Sequence, residues 1–258
     1  MSQRKLIVER DGPVTIVTIN RPEVRNACDQ ETLALMREAF RAFEADPEAR
    51  AAVVTGAGGA FCAGADLKEL AAGSGVGFGW AGSEDGPLRD RPSKPVVAAV
   101  EGHAVAAGLA LAVWCDLRVV SETAVFGVFC RRWGAPMTNG ATVRLPRLIG
   151  HSRALDMLLT GRPVEAGEAL AIGLANRLVP AGEARAAALA LAHELAGFPP
   201  LALRADRDSS YRQWELTDAE AIAVEMALGQ RAFREETQAG AARFATGAGR
   251  HGRFSGSR

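Results

Sequence analysis

Two stretches made almost entirely of small residues limit what this chain can fold into more than any other feature. The first, GAGGAFCAGAD at 56–66, follows an apolar β-branched run at Ala51 to Thr55 and leads into the helix-like LKELAA. The second, EGHAVAAGLALAVWCD at 101–116, follows the apolar run Pro95 to Val100. Each reads as a strand, a tight loop and a helix, although the residues are too unlike to call a repeat. Two helix N-termini result, around Gly64-Ala65 and Ala106-Ala107-Gly108, where Gly and Ala leave main-chain amides unshielded by side chains. Such amides can face negative charge that develops on a bound oxygen. Tight helix–strand packing uses the same residues, and spacing alone leaves both readings open.

Around these junctions the pattern is that of an α/β protein. Leu6 to Arg10 and Val14 to Asn20 flank Asp11-Gly12 and read as an opening hairpin. From Asp29, a candidate N-cap, Leu33, Leu35, Met36, Phe40 and Phe43 recur at helical spacing until Asp46-Pro47. Residues 73–91, rich in Gly and charge, read as a mobile surface loop and a candidate lid. A strand follows at Leu117 to Ser121, a loop at Phe126 to Thr138, and helices at Ala141 to Leu148, Ser152 to Leu159 and Glu165 to Ile172. Beyond Glu183 the pattern is almost purely helical and ends in a basic, Gly-rich tail.

With 258 residues, 48% hydrophobic and 23% charged, the chain is expected to fold as a core over residues 1–195 with a helical C-terminal segment over 196–258. A formal net charge of zero gives no field that would draw it to nucleic acid or to a membrane. Cys28, Cys62, Cys115 and Cys130 show no CxxC spacing and no cluster with His, so neither a metal site nor a disulfide framework is expected, and a reducing compartment fits. MSQRKLIVERDG runs straight into strand-like alternation without the apolar core of a signal peptide, so the expected location is cytoplasmic.

Phe61-Cys62-Ala63-Gly64-Ala65-Asp66 fits the F-[CS]-[AS]-G-x-D pattern of the crotonase, or enoyl-CoA hydratase/isomerase, superfamily, and KPVVAAVEGHAVAAGLALAVWCDLRV resembles its second signature. GATVRLPRLIG and ALDMLLTGRPVEAGEALAIGLANRLVP extend the resemblance over most of residues 6–180. The resemblance implies a crotonase-like (ClpP/crotonase) spiral of ββα units, a helical oligomerisation segment, and a homotrimer or dimer of trimers. It implies an acyl-CoA ligand, with coenzyme A entering as part of the substrate and no separate cofactor or metal. By position, the oxyanion donors would be the N–H groups of Ala65 and Ala107. The nucleotide and acyl contacts would include Val24, Arg25, Ala63, Asp66, Leu67, Lys68, Gly108, Trp133 and Asn139. Arg25 and Lys68 are either phosphate partners or solvated charges, and Trp133 either lines the acyl pocket or packs in the core.

Hydratases of this superfamily place two glutamates over the substrate double bond. Here the first position falls on Ala110 and the second on Cys130. Alanine cannot titrate, and a thiol with an ordinary pKa of ~8.5 is a poor substitute. Each lost general acid or base costs roughly 10²- to 10⁴-fold in rate, so feeble hydration is expected. Some relatives carry a carboxylate in the loop that here spans Pro136 to Gly140, but this chain has Thr138 and Asn139. The remaining polar candidates are Glu84, Asp85, Glu101, His103, Arg131 and Arg132, the arginines as partners for an acyl carboxylate or as solvated loop charges. Gly56 to Phe61 and the GxGxxG at 77–82 lack the context of a dinucleotide fingerprint, and no GxSxG elbow is present. Two functions follow: enolate stabilisation on an acyl-CoA, with isomerase or decarboxylase-like chemistry, or a non-catalytic acyl-CoA binder or carrier.

Overall fold

The computed structural model describes residues 4–73, 80 and 86–249. Two compact units divide the chain, Met1–Ala192 and His193–Arg258.

In the first unit, β1 (Leu6–Asp11) and β2 (Val14–Ile19) form the antiparallel hairpin that Asp11-Gly12 announces. From β2 onward every pairing in this sheet is parallel: β3 (Ala51–Gly56), β4 (Val96–Val100), β6 (Leu117–Ser121) and β9 (Arg177–Val179) continue the six-stranded order β1-β2-β3-β4-β6-β9. A parallel sheet is covered on both faces, which is why β4 is wholly buried and reads as an unbroken apolar run. A second, three-stranded sheet orders β5 (His103–Val105), β7 (Val125–Gly127) and β8 (Val164–Glu165) as β5-β7-β8.

α1 (Gln30–Ala45) starts where Asp29 accepts from the Thr32 amide at 2.9 Å and its hydroxyl at 2.7 Å, a cap worth about 1 kcal/mol. It buries Leu33, Met36, Phe40 and Phe43 and stops before Pro47. Phe40 meets the Trp114 ring at 4.7 Å between centroids. α2 (Leu67–Ala71) and α3 (Ala107–Trp114) follow the two small-residue stretches, and every residue of α3 is buried. Arg118, 2% exposed, sits past the end of α3 and donates to the carbonyls of Cys115 at 2.8 Å, Ala112 at 3.3 Å and Leu174 at 2.6 Å. It thus supplies both hydrogen bonds and positive charge where that helix exposes carbonyls. α4 (Ala141–Ile149), α5 (His151–Thr160), α6 (Ala166–Ala171) and α7 (Ala184–Gly197) follow. Glu101 accepts from the first amide of α7, Ala184, at 3.0 Å.

Two expectations change. The stretch from Phe126 to Thr138, expected as loop, contributes Phe126 and Gly127 to β7 and holds a 3-10 turn at Phe129–Trp133, and β5 lies inside the second small-residue stretch. Strands of three residues carry no readable periodicity and form because a partner strand lies alongside.

In the second unit, α8 (Pro200–Arg212) has its first amides taken by Glu236, which accepts from Leu201 at 2.9 Å and Ala202 at 3.0 Å. α9 (Asp218–Ala232) opens with a capping box between Thr217 and Glu220, and a π-helical turn at Phe233–Thr237 joins it to α10 (Gln238–Ala245). Ile222, Met226, Phe233 and Phe244 are all exposed. Among the described residues no single helix is long and apolar enough to cross a membrane.

Candidate active site

The first small-residue stretch is held as a strut between two neighbours. The Cys62 amide donates to the His103 carbonyl at 2.9 Å, and the Val105 amide returns a bond to the Cys62 carbonyl at 3.0 Å. On the other side the Ala63 amide donates to Arg25, the Cys28 amide to Gly64, and the Asp66 amide to Cys28, at 3.0, 2.8 and 3.0 Å. The Gly64 amide meets the Cys62 sulfur at 3.4 Å. Among the described residues from Cys62 to Asp66, the Ala65 amide alone has no acceptor.

At the second junction the unpaired amides are those that open α3, as at any helix N-terminus, and Ala107 is the first of them. The Ala106 amide donates to the Gly127 carbonyl at 2.9 Å, whereas the Ala107 amide, on a residue only 5% exposed, meets no acceptor among the described residues. Buried main-chain donors are nearly always paired. The residues just before these amides, Gly64 and Ala106, both have positive φ, 100° and 53°. For Ala106, with ψ of −123°, this is a conformation suited to glycine, and it costs on the order of 1–3 kcal/mol.

Ala65 and Ala107 line one pocket, which holds about 110 Å³ of open space between the strut, the start of α3 and the segment from Phe129 to Asn139. Main-chain donors held in place by their neighbours' hydrogen bonds are the kind of group that takes up negative charge on an oxygen without rearrangement.

The other expected residues separate into groups. Ala63, Leu67, Cys130, Trp133 and Asn139 line this pocket with the two amides. Trp133 is largely exposed and so is not a core residue. Val24, Arg25, Asp66, Lys68, Gly108 and Ala110 are not on its wall. Val24 and Arg25 lie at a 3-10 turn beside Ala63, while Lys68 is exposed at the start of α2. Asp66 is buried, capping α2 through the Lys68 amide at 3.0 Å and pairing with Arg21 at 3.0 Å. Gly108 serves close packing: a Cβ there would stand 2.0 Å from the Cys62 carbonyl oxygen. Ala110 is fully buried within α3.

Of the further polar candidates, Arg131 donates to the Leu158 carbonyl at 3.2 Å, and Arg132 donates to Gly161 while stacking 4.0 Å above the Phe129 ring. Glu101 is occupied at α7 and by Thr123, and His103 lies in β5. Glu84 and Asp85 lie outside the described residues, as does most of the candidate lid.

Cys130 is half-buried, and its thiol approaches the Met137 sulfur at 3.3 Å. Burial pushes this thiol up from its ordinary pKa, against a smaller opposing pull from the Arg131 cation, so it stays protonated at neutral pH.

Sequence reasoning missed several participants. Asn26, fully buried with φ of 58°, donates to the Ala57 and Ala60 carbonyls at 2.8 and 2.6 Å and accepts from the Arg21 amide at 2.9 Å, fixing the loop that leads into the strut. Trp80, Leu70, Phe129 and Met137 complete the apolar wall. The Asn20-Arg21-Pro22 corner was a readable signal for the first group, but nothing local marked Trp80.

Comparison with known proteins agrees with this architecture. Residues 9–248 match the family model described as enoyl-CoA hydratase/isomerase. Enoyl-CoA hydratase EchA19 of Mycobacterium tuberculosis is 38% identical over 234 residues, covering 88% of each chain. The crystal structure of enoyl-CoA hydratase EchA1 from Mycobacterium marinum superposes with a TM-score of 0.89 at 33% identity, over 95% of this chain and 96% of that one. That of an enoyl-CoA hydratase from Mycobacterium tuberculosis H37Rv gives 0.89 at 32%, over 98% and 100%. The chain belongs to the enoyl-CoA hydratase/isomerase family, within the crotonase superfamily, and has the crotonase fold.

Proposed function

We propose that this protein binds an acyl-CoA thioester with the carbonyl oxygen between the Ala65 and Ala107 amides, and that these form an oxyanion hole stabilising the enolate. The observation that carries the reading is that both amides lack an acceptor among the described residues, line one pocket, and follow residues at positive φ. Hydration needs a base for water and an acid for Cα, and the positions concerned hold Ala110 and a Cys130 thiol kept protonated by burial. The chemistry that suits the site generates or shifts an enolate with less help from those positions, as isomerisation or decarboxylation does. Calorimetry with a panel of acyl-CoAs beside a turnover screen tests this: binding with slow hydration of crotonyl-CoA is expected. Hydration at rates typical of enzymes overturns the demotion, and absence of all binding overturns the site.

A second reading, a non-catalytic acyl-CoA binder, is favoured by the same pair of replacements. Tight binding without turnover on any substrate of the panel selects it.

The exposed apolar residues of α9 and α10 support assembly into a homotrimer or a dimer of trimers. Light scattering at micromolar concentration is expected to give a multiple of three, and a monomer overturns it. A cytoplasmic location belongs to the same proposal, tested by cell fractionation.

A further inference from the structure

Two residues that line the pocket each carry a buried polar side-chain atom that the proposed chemistry does not use. Trp80 is 1% exposed and Asn139 5%, both residues line the pocket, and among the described residues Trp80 Nε1 and Asn139 Oδ1 are buried without a hydrogen-bond partner. A buried donor and a buried acceptor left unpaired are each costly, and native proteins seldom keep them without a use. Apart from Thr138, the other side chains of the lining are apolar or a thiol, among them Leu70, Phe129, Pro136 and Met137. The last torsion of an asparagine side chain is soft, so a turn of the Asn139 amide presents its oxygen to a ligand at little cost.

The pair is one donor and one acceptor, which narrows what satisfies it. A carboxylate or keto group only accepts and would leave Asn139 Oδ1 unpaired, while an ammonium only donates and would leave the indole N–H unpaired. A carboxylate would also want a cation, yet Arg131 and Arg132 are bonded to the carbonyls of Leu158 and Gly161. A hydroxyl both accepts and donates, and it is neutral. In the hydratases this chain resembles, the reacting carbons face the positions of Ala110 and Cys130. Trp80 and Asn139 stand at neither position.

We infer that Trp80 and Asn139 select acyl-CoA thioesters whose acyl group carries a hydroxyl beyond the reacting carbons, the indole N–H donating to its oxygen and the Asn139 carbonyl accepting its proton. This inference rests on the acyl-CoA reading above. A site built to pair a substrate hydroxyl discriminates strongly against the analogue lacking it, because the missing group leaves the protein atoms unpaired.

The test is calorimetric binding of matched pairs, hexanoyl-CoA against ω-hydroxyhexanoyl-CoA and benzoyl-CoA against para-hydroxybenzoyl-CoA. The hydroxylated member of at least one pair is expected to bind about tenfold tighter or more, and the ratio is expected to fall toward one in Asn139→Ala and in Trp80→Phe. Should Trp80→Phe fail to fold, Asn139→Ala carries the test. Ratios near one in both pairs for the unmodified protein overturn the inference, and so does a preference that survives Asn139→Ala. Those results leave the acyl-CoA reading standing, because hexanoyl-CoA still binds. Loss of binding by every thioester removes both.

Discussion

A Cβ on Gly64 would stand 3.0 Å from the main-chain nitrogen of Ala107 and 2.9 Å from the Cβ of Ala106. The residue before one unpaired amide is thus in van der Waals reach of the other, and the absence of a side chain at Gly64 is what brings the two junctions together. At φ of 100° any other residue is strained as well as crowded.

Gly64→Ala is therefore expected to lower stability by about 1–3 kcal/mol and to abolish acyl-CoA binding. Urea denaturation and calorimetry read the two effects separately. Unchanged binding would show that the amides do not hold the thioester.

Arg118 offers a stability test remote from the pocket. Arg118→Met keeps the length of the side chain but leaves several buried carbonyls without their donor, so a loss of about 3–5 kcal/mol is expected in urea denaturation. A loss under about 1 kcal/mol would mean that these carbonyls find other partners.

Asp29 makes stability depend on acid. Burial alone would raise its pKa, but the Lys5 ammonium, the Thr32 hydrogen bonds and the Arg21 cation outweigh it and bring the carboxyl down from 3.8 to about 2. The folded pKa lies below the unfolded one, so the contribution, about 2 kcal/mol, is full well above the unfolded pKa and is lost as the pH falls through the folded one. The stability gap between the protein and Asp29→Asn should accordingly narrow as the pH is lowered from about 6 to about 3. A gap that does not change with pH would remove the charge from the explanation.

The thiols are expected to divide by burial. Cys28, Cys62 and Cys115 are buried, and burial together with the nearby Asp116 carboxylate pushes Cys115 up to about 12. Cys130 is the half-buried one and faces the pocket. In the native protein an aromatic disulfide reagent should label Cys130 first, and a bound acyl-CoA should slow it. Equal protection of Cys130 and Cys115 would place Cys130 away from any ligand path.

Much of this was legible in order along the chain. The opening hairpin, α1 with its Asp29 cap, the apolar runs that became β3, β4 and β6, and the helices after Ala141 all follow from local pattern, because burial on one helix face or within a parallel sheet imposes a period or an unbroken apolar run. The two junctions were legible as places of close backbone approach, although their Gly and Ala content did not by itself separate tight packing from ligand binding. The short strands β5, β7 and β8 were not legible, since each exists only through its neighbour.

What the sequence determined by itself was where unshielded amides could occur and which side chains could not act as acids. Tertiary structure alone decided that Ala65 and Ala107 line one pocket, that Asp66 and Gly108 serve the scaffold, and that Trp80 and Asn139 line the same pocket with atoms unpaired among the described residues. Such facts depend on which hydrogen bonds remain unmade after strands distant in sequence have taken theirs, and no local pattern records that remainder.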